Sequence, residues 1–224
     1  MKLTEIIDFF ESNADEENLR TMNRLKVGSD RKYGIRMPVL RKLAREIGPN
    51  HELALELWNH GYHESRLLAT LIEEPDKVGE AQLERWVNDF DAWDLCDQAC
   101  INLLVRMPLA IEMIPLLAES EREFVQRTAF SLIAVIAVHD KTSDDSYFEG
   151  FFPLIKKASC DERNFVKKSV NWAIRSIGKK NTDLNRKAIE LCNEMLGYDS
   201  KPARWISRNA LRELESEKVQ NKLN

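Results

Sequence analysis

Apolar residues recur three and four positions apart along almost the whole chain, as in Leu3, Ile6, Ile7 and Phe10 and again in Leu40, Leu43, Ala44 and Ile47. That period gathers them on one face of an α-helix. Breaks fall at Asn13-Ala14-Asp15, within 34–38, at Gly48-Pro49-Asn50, at Gly61, at Glu74-Pro75-Asp76, at Met107-Pro108 and within 140–145, 178–182 and 197–202. Between them the spacing predicts helices of roughly 8 to 18 residues joined by short turns, the lengths of paired antiparallel helices. No Gly-, Pro- or Ser-rich linker interrupts this pattern, so residues 1–224 read as one all-α domain.

Five segments repeat a local motif in which a polar or charged residue precedes small and apolar ones. They are Arg66-Leu67-Leu68-Ala69, Asp97-Gln98-Ala99, Arg127-Thr128-Ala129, Lys168-Ser169-Val170 and Arg208-Asn209-Ala210, with leading residues 31, 30, 41 and 40 positions apart. Such a period predicts an α-solenoid: stacked helical hairpins whose inner helices present equivalent positions to one concave surface. The leading residues then form a cationic row that holds one carboxylate, Asp97.

Composition narrows this picture. With 8 Gly and 7 Pro in 224 residues the chain lacks the punctuation of an all-β protein. Its net charge is −4, so a role with nucleic acid must rest on local charge. Residues 156–213 hold 14 Lys or Arg against 7 Asp or Glu, a balance of +7, and the remainder holds 19 against 30, a balance of −11. A solvated charged face is one reading of that asymmetry, and a locally basic cleft is the other. Four cysteines in a chain this long do not form a disulfide framework; Cys96, Cys100, Cys160 and Cys192 are expected as reduced core residues, with no zinc set. The early acidic residues Glu5, Asp8 and Glu11 do not fit a signal peptide, and no apolar run reaches the ~20 residues that span a bilayer. A cytoplasmic monomer that needs no cofactor and no membrane is the expectation.

The string Asp91-Ala92-Trp93-Asp94-Leu95-Cys96-Asp97 is the candidate for chemistry. On a helix Trp93 and Asp97 are i, i+4 neighbours, so an indole and a carboxylate share a face. Asp94 falls toward the helix start, where a carboxylate meets free backbone donors. Asp97 lies too far along for that, and inward-facing it needs a cation; Arg127 in the next repeat is the natural partner. An inter-repeat salt bridge with Trp93 as core filler accounts for the same spacing. Against that bland reading, Trp172 follows Lys168 by one turn and Trp205 precedes Arg208 by nearly one, and alternating indoles and cations suit both stacking and phosphate contact. Lys167, Lys168, Arg175, Lys179, Lys180, Arg204 and Arg208 are then candidate clamps on a DNA backbone, with Arg66 in the same row and Tyr33 and Arg36 at a groove edge.

These strings resemble the bacterial HEAT-like-repeat DNA alkylation-repair glycosylases, the AlkD family, over most of the chain. The carriers are Gly34-Ile35-Arg36-Met37-Pro38-Val39-Leu40-Arg41-Lys42, His63-Glu64-Ser65-Arg66-Leu67-Leu68-Ala69, Trp93-Asp94-Leu95-Cys96-Asp97, Gln126-Arg127-Thr128-Ala129 and Lys167-Lys168-Ser169-Val170-Asn171-Trp172-Ala173-Ile174-Arg175. The resemblance implies a HEAT/ARM-like solenoid in the bacterial cytoplasm, nucleoid-associated when bound to duplex DNA carrying alkylated bases. It implies excision of cationic alkylated purines such as 3-methyladenine and 7-methylguanine by water, with Asp97, Arg127 and Trp93 as catalytic residues and Trp172 lining the cleft. Ala92 stands where some members have a second aromatic residue, and Gln126 where others have a second basic one. A non-catalytic module for damaged or branched DNA, and a protein-interaction solenoid, are the alternative readings of the same fold.

Overall fold

The computed structural model describes residues 1–25, 27, 28 and 31–223, and among these every regular element is helical. The chain divides into two compact units, Met1–Ala110 and Ile111–Asn224.

The first unit contains α1 (Leu3–Ser12), α2 (Glu16–Leu25), α3 (Met37–Ile47), α4 (His51–His60), α5 (His63–Ile72), α6 (Glu80–Asn88) and α7 (Trp93–Asn102), and the chain passes to the second within α8 (Pro108–Glu112). Its punctuation follows the sequence. The Asn50 side chain accepts from Leu53 N at 3.0 Å and starts α4, and Gly61, at φ 77°, ends it in the left-handed region that suits glycine. Pro38 lies in the first turn of α3, where its missing N–H costs nothing. Helix α5 packs against α3, α4 and α7 and buries Leu67, Leu68, Ala69 and Ile72. Beside it Trp58 and Trp86 stack with ring centroids 4.0 Å apart, and the Trp58 indole donates to Asp89 Oδ2 at 2.9 Å.

The second unit contains α9 (Ile114–Ala118), α10 (Glu123–His139), α11 (Asp145–Glu149), α12 (Phe152–Ala158), α13 (Asn164–Ile177), α14 (Thr182–Leu196), α15 (Lys201–Leu214) and α16 (Glu217–Leu223). Helices α10, α13 and α15 lie side by side and are backed by α9, α12 and α14. All residues of α10 from 125 to 137 are buried, so this helix is the unit's central member. Asn181 and Ser200 cap α14 and α15 through Leu184 N and Ala203 N.

The paired-helix expectation therefore holds, with one difference in length. Helices α8, α9 and α11 have 5 residues and α12 and α16 have 7, below the predicted range. Pro115 and Pro153 sit in the first turns of α9 and α12 and start new helices where apolar periodicity alone runs on. The five recurrent segments fall on α5, α7, α10, α13 and α15, the helices that lie side by side within their units. Cys96, Cys100 and Cys192 are core residues as expected, and burial pushes the Cys192 thiol up to about 12. Cys160 is exposed instead, because it falls in the turn before α13. Among the described residues no helix is long and apolar enough to cross a membrane.

Candidate functional site

In the first unit the core face of α7 is formed by Leu95, Cys96, Ala99 and Cys100. Asp97 and Trp93 belong to a different face, one turn apart, and both are half-buried. The carboxylate is thus outside the apolar core. Asp94, in the first turn of the same helix, accepts from His63 Nε2 of α5 at 2.8 Å. Burial opposes charge on His63, but the hydrogen bond and charge of Asp94, with Glu64 and Asp91 near, outweigh it and raise the imidazole pKa above its ordinary value.

Arg66, predicted in the cationic row, is drawn inward. Its Nη1 donates to the Asp89 carbonyl at 3.1 Å and lies 3.6 Å from Asp91, and its guanidinium sits over the Trp58 ring at 5.4 Å. Tyr33 packs between Phe10 and Tyr62, stacked on the latter at 4.6 Å, and burial, then Tyr62, raises its phenol to about 12. It serves the packing of the loop. Arg36 stays exposed and meets Asp15 at 3.4 Å.

In the second unit Arg127 is 5% exposed and donates to the Phe165 carbonyl at 2.7 Å, tying α10 to the start of α13. A guanidinium this enclosed orients neighbours more readily than it meets a phosphate. Trp172 is half-buried on α13. Between α13 and α15 three cross-helix pairs recur at an interval of 38 residues: Lys167 Nζ over the Trp205 ring at 4.8 Å, Asn171 Nδ2 donating to Asn209 Oδ1 at 2.8 Å, and Arg175 paired with Glu213. These contacts join residues 38 apart, two fewer than the 40 that separate the equivalent repeat positions Lys168 and Arg208.

The predicted clamps divide into two classes. Lys179 donates to Glu213 Oε1 at 2.6 Å, beside Arg175. Burial opposes ionisation of Glu213, yet these two cations outweigh it and hold the carboxyl below its usual range. Lys180 caps the end of α10, donating to the carbonyls of Ala137 at 3.2 Å and Asp140 at 2.6 Å, with its ammonium over Phe148. Burial, then Lys141, lowers its pKa. Arg204 donates to the Tyr198 carbonyl and meets Asp199 at 3.5 Å. These four are engaged within the protein.

Lys167, Lys168 and Arg208 form the other class. Lys167 and Lys168 lie over the rings of Trp205 and Phe165, and Arg208 lines an open cleft with Lys201, Arg204, Trp205, Asn209 and Arg212. Lys201 and Arg212 stand outside the clamps expected from the sequence, where Trp205 enters only as a companion of Arg208. Their spacing on one helix, 201, 205, 208 and 212, is the signal that marks a shared face.

The chain matches the model of the family described as DNA alkylation repair enzyme over residues 6–214. An uncharacterized protein of Listeria innocua serovar 6a is 26% identical over 161 residues, 70% of either chain. A solved structure from a new family of proteins related to the HEAT-like repeat DNA glycosylases, with affinity for branched DNA structures, superposes with a TM-score of 0.84 at 18% identity, covering 100% of this chain and 96% of the other. This chain has the same HEAT-like repeat fold.

Proposed function

Since the chain belongs to the DNA alkylation repair enzyme family, we propose that it binds duplex DNA and hydrolyses the N-glycosidic bond of cationic alkylated purines such as 3-methyladenine and 7-methylguanine. The observation that carries the reading is Asp97: a carboxylate in mid-helix, half-buried, off the apolar face of α7 and one turn from an indole. A cationic base is already a good leaving group, so protonating it is unnecessary. The demand moves to the sugar, which gains oxocarbenium character as the bond breaks. Asp97 supplies negative charge to that sugar and orients the attacking water. Trp93 offers its electron-rich face to the same developing charge, and Trp172 on its own helix offers a π face to bound DNA. Arg127, enclosed and bonded to a backbone carbonyl, acts as a positioning residue. Lys167, Lys168 and Arg208 contact phosphates.

The test is release of 7-methylguanine from methylated duplex DNA by the purified protein. Asp97→Asn lowers the rate by at least about tenfold, the scale of one lost transition-state contact. An unchanged rate in that variant removes Asp97 from the mechanism. A second reading, a non-catalytic binder of branched DNA, is favoured by the affinity for branched DNA structures of the family to which the solved relative belongs. It predicts salt-sensitive binding with no base released from any lesion.

A further inference from the structure

Within the second unit several surface cations are answered by a carboxylate: Lys156 by Glu194, Arg163 by Asp161, Arg175 by Glu213 and Lys187 by Glu149. One face of α15 departs from this. Lys201, Trp205, Arg208 and Arg212 follow one another at i, i+4, i+7 and i+11, which aligns them along a single helical face, and all four line one open cleft. Among the described residues Lys201, Arg208 and Arg212 form no ion pair with a carboxylate. Trp205 is 40% exposed, while Trp58 and Trp86 are buried. The ammonium of Lys167 lies over its ring at 4.8 Å.

A row of cations alone would suit the outside of a duplex, whose phosphates are exposed and whose base faces are hidden in the stack. An exposed indole in the middle of that row offers a phosphate a single N–H donor and leaves most of its surface unused by phosphate contact. It does add a flat surface of the size and polarisability that stacks on a nucleobase, and a base must leave the duplex stack to reach it. From Lys201 to Arg212 the stripe runs 11 steps along the helix, about 16 Å at ~1.5 Å per residue. At about 3.4 Å of axis per phosphate on one strand, that length accommodates roughly five nucleotides. We propose that this face of α15 holds a DNA strand with an unpaired base, the base stacked on Trp205 and the flanking phosphates on Lys201, Arg208 and Arg212. The inference rests on the DNA-binding reading above and specifies which form of DNA this surface selects.

The experiment measures dissociation constants of the full chain for two labelled probes of equal length, a perfect duplex and the same duplex with one unpaired thymine. Wild type is expected to favour the bulged probe by roughly tenfold, the scale of one stacked base. Trp205→Ala abolishes that preference and leaves perfect-duplex affinity within about twofold, and Trp205→Phe keeps most of it. Because the indole is on the surface, an unchanged circular dichroism spectrum and melting temperature confirm that the variants are folded. A preference that survives in Trp205→Ala overturns the proposal, as does a wild type that binds both probes equally. Equal binding combined with 7-methylguanine release defeats the stacking platform alone and leaves the glycosylase reading standing. Failure of wild type to bind either probe at low salt, or competition by polyglutamate as effective as by DNA, defeats both.

Discussion

Neighbouring residues 63 and 64 show how much of this protein rests on single side chains. Glu64 is fully buried; three backbone donors, Tyr33 N at 2.9 Å, Gly34 N at 2.7 Å and Ile35 N at 3.2 Å, satisfy its carboxylate. His63 points to Asp94 instead. Because the folded pKa of His63 is raised above its ordinary 6.5, the contribution of its charged form is fully present below about pH 6.5 and is lost as pH rises through the folded value. Asp94→Asn should therefore destabilise the fold by about 2 kcal/mol at pH 6, the scale of a hydrogen bond to a charged group, and by less at pH 9. Urea unfolding of both proteins across that range checks it, and a difference independent of pH would mean that His63 is neutral throughout. The sequence marked Asp94 as structural from its place in the first turn. Its partner, 31 residues away, is invisible to local spacing, since only packing of α5 on α7 brings them together.

At the scale of elements, helix boundaries were legible wherever a residue has a conformational reason to end or start a helix. Gly34 is the clearest instance. It adopts φ +81°, and a Cβ added there would lie 2.4 Å from the Asp15 carbonyl oxygen and 2.8 Å from Leu19 Cγ. Strain in the left-handed region adds to that clash, so Gly34→Ala should cost at least about 2 kcal/mol, read as a lower urea midpoint with an unchanged m-value. An equal midpoint would show that the loop between α2 and α3 yields freely. What the sequence did not disclose was register. The repeat motif gives Lys168 and Arg208 as equivalent positions, whereas the contacts on the seam join 167 with 205, 171 with 209 and 175 with 213. Periodicity reports which face a residue occupies, and interdigitation of side chains decides how far one helix slides along another.

Over the whole molecule the charge asymmetry was readable from composition, and its disposition was not. Of the predicted clamps, Arg175, Lys179, Lys180 and Arg204 are bonded within the protein, while Lys167, Lys168 and Arg208, joined by Lys201 and Arg212, are available to an external anion. Five phosphate contacts imply a plot of log affinity against log salt with a slope of about −4 to −5 for duplex DNA, and Arg208→Ala with Arg212→Ala should reduce its magnitude by about 2. A slope near zero would assign the affinity to something other than phosphates. That Trp93 and Asp97 share a helix face was legible from i, i+4 spacing, because both lie on one helix.

The exposure of Cys160 has a practical corollary. With its three sister thiols sealed in the core, a maleimide reagent meets one reactive sulfur, seven residues before Lys167 at the amino end of α13. A dye tethered there reports on the helix that bears the unpaired lysines without a cysteine having to be engineered in or out.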